Sequence, residues 1–252
     1  MRRRSFEELV NEAATADVTG WDFSWLDGRA TEERPSWGYA KMMGKKMASA
    51  SAALDLQTGG GEVLAKVSKL PALTVATESW PPNVARATRL LHPLGVAVIA
   101  HDEAEPLPFA ANAFDLVVSR HPVAVWWDEV ARVLRPGGRY FSQHVGPRSV
   151  GEVSEFFLGP QPDGDSVREP GVARAQAQAA GLIVTDLRAE SLRTEFRDVG
   201  AVIYFLRKVI WIVPGFTVDA YRGRLRQLHD QIERTGPFLA TTRRFLIEAV
   251  KQ

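Results

Sequence analysis

The sequence predicts an α/β protein: a three-layer α/β/α sandwich on a mainly parallel sheet of seven strands. Three observations predict it. Short apolar runs of strand length alternate with helical stretches across short turns. One such run leads straight into Gly59-Gly60-Gly61. Pro136-Gly137-Gly138 ends a helical stretch just before another apolar run. An N-terminal helical segment and a helical insertion before the last strand complete the prediction.

Ser5 to Ala16 reads as the first helix, with Ser5 as its cap, Glu7 and Glu8 in its first turn, and Phe6, Leu9, Val10 and Ala13 on one face. A Trp-rich link follows, and Tyr39 to Ser49 is helical again. Ser51 to Leu56 is a strand and Glu62 to Leu70 a helix. Ala72 to Thr77 is the second strand, and Pro82 to Leu91 a helix with proline near its start. Val96 to Ala100 and Phe114 to Ser119 are strands three and four. Trp126 to Leu134 is a helix, and Arg139 to His144 the fifth strand. Beyond Val150 the pattern loosens. Gly159 to Gly171 is a Pro-, Gly- and Asp-rich loop, Val172 to Ala180 a helix, and Leu182 to Leu187 a strand. Val199 to Val213 and Thr217 to Arg234 read as helices, and Phe238 to Val250 closes the sheet.

Composition narrows the function classes. With 252 residues the chain can bury one substantial core plus a small appended subdomain. Lys plus Arg number 31 against 30 Asp plus Glu, so there is no global basic field for nucleic acid. There is no cysteine, which removes disulfides, thiolate catalysis and Cys-based metal sites together. No apolar run approaches the roughly 20 residues of a membrane span, and the stretch after the basic start is too polar for a signal peptide. The expectation is a cytoplasmic protein without a metal.

Chemistry concentrates at the strand ends. The first strand delivers Asp55 to its C-terminal end, and the glycines behind it let the backbone turn sharply and approach a ligand. A Gly triplet after a strand also serves as a plain tight turn. Glu78 ends the second strand, where an acid accepts hydrogen bonds from ribose hydroxyls. A solvated turn carboxylate would sit there equally well.

Across Ala50 to Gly146 the sequence resembles the class I S-adenosylmethionine-dependent methyltransferases, a Rossmann-like family. Asp55, Gly59 and Gly61 match its strand-ending D-x-G-x-G-x-G motif, with Gln57 where the family usually has its first glycine. Glu78 matches the second motif, and Trp80 stands where an apolar residue usually covers the adenine. Asp102 to Phe109 and Ala113 to Ser119 resemble the D-x-x-x-LPF and FD-x-V block, whose acid is either Asp102 or Glu103. Glu129 to Gly138 resembles the helix and turn before the fifth strand. The resemblance implies S-adenosyl-L-methionine as cofactor. It would be held by Asp55, Gln57, Thr58, Gly59, Gly61, Glu78, Ser79, Trp80, Asp102 or Glu103, and Arg120.

Methyl transfer needs positioning and desolvation, and an oxygen or nitrogen acceptor can also need a base. His121 and His144, at the ends of strands four and five, are the candidates. Arg120 is also placed to hold an acidic acceptor. The expected organisation is an N-terminal helical cap over 1–49, a cofactor-binding core over 50–191 and 235–252, and a helical insertion over 192–234 forming part of the substrate cap. The expected acceptor is a small molecule, a metabolite or natural product. The alternatives are RNA or protein as substrate, suggested by Arg222, Arg224, Arg226, Arg243 and Arg244, and a non-catalytic binding protein that keeps the fold.

Overall fold

The computed structural model describes residues 4–102, 105–161 and 166–252. Eight strands form one sheet in the order β1-β7-β8-β6-β5-β2-β3-β4. They are β1 (Ala30–Glu32), β2 (Ala52–Leu56), β3 (Leu73–Glu78), β4 (Ala97–Ala100), β5 (Phe114–Arg120), β6 (Leu134–Val145), β7 (Leu182–Phe196) and β8 (Phe238–Lys251). β4, β3, β2, β5 and β6 are mutually parallel, so their C-terminal ends share one edge. β8 runs antiparallel to β6, and β1 antiparallel to β7. The helices are α1 (Phe6–Thr15), α2 (Tyr39–Ser49), α3 (Pro81–Leu91), α4 (Trp127–Val133), α5 (Gly151–Leu158), α6 (Pro170–Ala179), α7 (Val199–Lys208) and α8 (Arg222–Thr235).

The described residues fall into two compact units. One holds 35–102, 105–147, 166–190 and 244–252. It is the three-layer sandwich, because its strands are apolar on both faces and each face needs cover. Ala52, Leu54 and Leu56 of β2 pack with Trp127, Val130 and Val133 of α4 and Ala173 and Ala177 of α6. Ala53 turns the other way, to Tyr39, Met43 and Met47 of α2 and Ala87 and Leu91 of α3. The other unit holds 4–34, 148–161 and 191–243, with its own core between α1, α5, α7 and α8. α1 starts as its sequence predicts. Glu8 N–H donates to Ser5 Oγ (3.3 Å) and Ser5 N–H to the Glu8 carboxylate (2.7 Å), while Phe6, Leu9, Val10 and Ala13 are buried.

Four expectations need correction. The sheet has eight strands because three residues of the Trp-rich link, β1, pair with the end of β7. The helix expected over Glu62 to Leu70 shrinks to a 3-10 turn, Leu64–Lys66. Val63, Val67 and Ser68 are poor helix formers, and Pro71 bars the helical region to Leu70. The sixth strand runs on from Leu187 to Phe196: its charged residues hide an alternation in which Leu192, Thr194 and Phe196 point inward. Residues 192–196, expected to open the helical insertion, are therefore strand. α5, which no sequence signal announced, begins after Val150 in a left-handed conformation (φ 55°).

Candidate active site at the C-terminal sheet edge

The candidate site lies within the sandwich unit, at the edge where β2 to β6 end. β2 delivers Asp55, 7% exposed, and the chain then turns through Gln57 (φ 55°), Gly59 (φ 65°) and Gly61 (φ 81°). Gly61 has to be glycine on two counts. Its φ is left-handed, and a Cβ there would stand 2.9 Å from Leu91 of α3. The turn is pinned to β3 by Thr58 N–H donating to the Thr77 carbonyl at 2.9 Å.

Glu78 ties this loop to the start of α3. Its Oε2 accepts from Gly59 N–H at 2.7 Å, and its Oε1 accepts from Ser79 and Trp80 N–H at 3.1 Å each. The carboxylate is only 8% exposed, whereas the Trp80 side chain beside it is 48% exposed. Ser79 is exposed between them. Asp102 is exposed just past β4, whose Ala100 is in register with Glu78. Glu103 lies outside the described residues. A buried carboxylate, a turn of glycines and an exposed indole thus meet within three adjacent segments.

Asp55 is held differently. It accepts from Thr58 Oγ1 at 2.7 Å, and burial, opposed by that bond and reinforced by the charge of Glu78, pushes its carboxyl up to about 7. Tyr39, at the start of α2, is buried against Phe141 and donates to the Ser119 carbonyl at 2.8 Å. Burial, then the nearby charge of Asp55, raises the Tyr39 hydroxyl well above its ordinary value.

Gln57 takes a left-handed conformation (φ 55°). Its side-chain amide then bridges to the segment after β5: Oε1 accepts from Val123 N–H and Nε2 donates to the Ala124 carbonyl, both at 2.7 Å. These bonds offset the backbone cost of a non-glycine residue there. Gln57 is thus a cross-brace between two loops of the edge.

Arg120 ends β5, exposed and in register with Gln143 of β6. His121 follows with φ 58°, its N–H donating to the Gln143 carbonyl at 2.6 Å. Burial, then the charges of Arg120, Arg244 and His144, hold its ring well below the ordinary histidine value. His144 is placed otherwise. It is buried, stacked on Phe245 at 4.4 Å with the Tyr140 hydroxyl 3.4 Å from Nε2, and burial pushes it down to about 3. The two histidines are held differently: His121 opens the segment after β5, whereas His144 is packed in the core.

Three residues outside the predicted site support this edge. Gln143 joins Trp37 to His121, and Arg132 with Glu129 clamps the LPF turn. Arg132 donates to the Leu107 and Phe109 carbonyls (2.9 and 2.7 Å), while Leu107 N–H donates to Glu129 (2.7 Å). The acid of the FD block has a structural task. Asp115 accepts from Ser51 N–H, Ser51 Oγ and Ala52 N–H at the start of β2, the edge opposite the site.

Residues 54–142 match the sequence model of the methyltransferase domain family. Over 48 residues the chain is 55% identical to the uncharacterized protein YafE of Escherichia coli (strain K12), covering 17% of this chain and 23% of that protein. It thus spans about a quarter of that curated relative. Among solved structures, a protein of Bacillus halodurans C-125, provisionally assigned as a methyltransferase, superposes with a TM-score of 0.60. Identity is 16%, covering 86% of this chain and 99% of that one. A phosphoethanolamine N-methyltransferase of Haemonchus contortus, solved with phosphomonomethylethanolamine and S-adenosylhomocysteine, superposes at 0.54. Identity is again 16%, covering 99% of this chain and 60% of that one. Residues 54–142 thus resemble the methyltransferase domain family, and the chain shares the fold of these solved structures.

Proposed function

We propose that the chain is an S-adenosylmethionine-dependent methyltransferase that acts on a small-molecule acceptor. One observation carries the reading: Glu78, a buried carboxylate braced against the Gly59 turn, stands beside the exposed Trp80 ring. That donor set suits a nucleoside with a cationic sulfonium. Glu78 would take the ribose hydroxyls, Trp80 would cover the adenine, and the backbone of 57–61 would line the remainder. The bound cofactor supplies an electrophilic methyl group. The chain's own part is to orient the acceptor and keep water from the edge.

Two observations favour this reading over the alternatives. The arginines that suggested RNA are partly engaged, since Arg222 and Arg226 both pair with Glu7 and lie over the ring of Phe6. Gln57, which stands where the family usually has a glycine, holds the left-handed turn. Among the described residues no helix is long and apolar enough to cross a membrane. Thermal unfolding with added nucleotides tests the reading. S-adenosylmethionine and S-adenosylhomocysteine should raise the midpoint and NAD should not, because only a ligand of the native state stabilises it. Equal or absent shifts for all three would overturn the proposal.

A further inference from the structure

The chain Trp37–Gln143–His121 carries more information than its distances. Trp37 Nε1–H donates to Gln143 Oε1 at 2.8 Å, in a buried contact. An indole nitrogen only donates, so the amide oxygen must face Trp37 and the amide NH2 must face the other way. That NH2 stands 2.9 Å from His121 Nε2. An amide nitrogen has only protons to offer, so Nε2 must present a lone pair, and the ring's proton must sit on Nδ1. An imidazolium would set N–H against N–H. The backbone reinforces the pose, because His121 N–H is bound to the carbonyl of the same Gln143.

We infer that Trp37 and Gln143 fix the His121 proton on Nδ1, making His121 a hydrogen-bond donor to an oxyanion of the methyl acceptor instead of the base that deprotonates it. The inference rests on the methyltransferase reading for the word acceptor, though not for the tautomer. Nε2 is the nitrogen a base would use, and Gln143 occupies it. Nδ1–H meets no partner among the described residues. The charged groups acting on the ring are Arg120 of β5 and Arg244 of β8, with His144 of β6 the other titratable neighbour. A neutral N–H donor at this sheet edge suits a carboxylate oxygen. Trp37 and Gln143 are positioning residues, because they reach the acceptor only through the histidine.

Long-range proton–nitrogen correlation of the histidine rings tests this in the intact protein. At neutral pH the His121 signals, identified by their loss in His121→Gln, should show the proton on Nδ1. Gln143→Glu supplies an acceptor to both neighbours, so it should move the proton to Nε2. If that variant does not fold, Trp37→Phe frees the amide to turn and should populate both tautomers. Added benzoate, the carboxylate probe, should shift the His121 Nδ1–H signal downfield and saturably. A proton on Nε2 in the unmodified protein, a cationic ring, or a signal indifferent to benzoate would overturn the inference. None of these readings needs the cofactor. The inference can therefore fail while S-adenosylhomocysteine still binds, and cofactor binding can fail while the tautomer stands.

Discussion

Replacing Asp55 by asparagine should make the protein more stable in mild alkali and leave it nearly unchanged in acid. Asp55 is buried at the end of β2, and its carboxyl is pushed from an ordinary 3.8 to about 7. A raised carboxyl pKa means that the folded state holds a proton which the unfolded chain has released. Below about pH 4 both states are protonated and the group costs nothing. The penalty grows as pH climbs from about 4 to about 7, and is complete above that. A rise of about three powers of ten corresponds to about 4 kcal/mol. Asparagine keeps an oxygen to accept from Thr58 Oγ1, as the carboxylate does at 2.7 Å. Denaturant unfolding of both proteins across this pH range gives the difference directly. The curves should converge near pH 4 and separate by up to about 4 kcal/mol near pH 8, with the variant the more stable. Parallel curves would show that Asp55 titrates normally and that the site is wetter than its burial implies.

Gln57→Ala loses two amide bonds to 123–124, worth about 1–3 kcal/mol together, and the Val123 amide should exchange faster with solvent. Gln57→Gly should lose less, because glycine carries no penalty at a φ of 55°. Gly61→Ala combines left-handed strain with a 2.9 Å approach to Leu91 and should cost about 2–4 kcal/mol in chemical denaturation. Trp80→Ala should leave stability within about 0.5 kcal/mol, since the ring is 48% exposed. It should weaken S-adenosylhomocysteine by about 1–3 kcal/mol, the worth of a base–aromatic stack, and unchanged affinity would remove Trp80 from the adenine site.

The parallel core was legible because its residues speak locally. Strands buried on both faces are continuous apolar runs, the glycines at 59–61 end one of them, and Ser5 marks the start of the first helix. β1 was hidden because three residues carry no period, and β7 because its inward positions alternate with arginines and glutamates. The site divides along the same line. Asp55, Gly61 and Glu78 could be named from strand-end position. Gln143 could not: its task comes from the indole and imidazole that the fold brings to either side of it, 106 and 22 residues away in the chain. Gln57 stands in the sequence only as a departure from a glycine motif. Only the placement of 123–124 turns it into a brace.

The proposed activity depends on Glu78 and the Gly59 turn forming one nucleoside pocket. Calorimetric titration of S-adenosylhomocysteine into the native protein and into Glu78→Ala is its most direct test. One site should bind in the native protein and weaken about tenfold or more in the variant, which loses a carboxylate and leaves three backbone N–H groups without it. Equal affinity in the two proteins, or no heat from the native one, would contradict it.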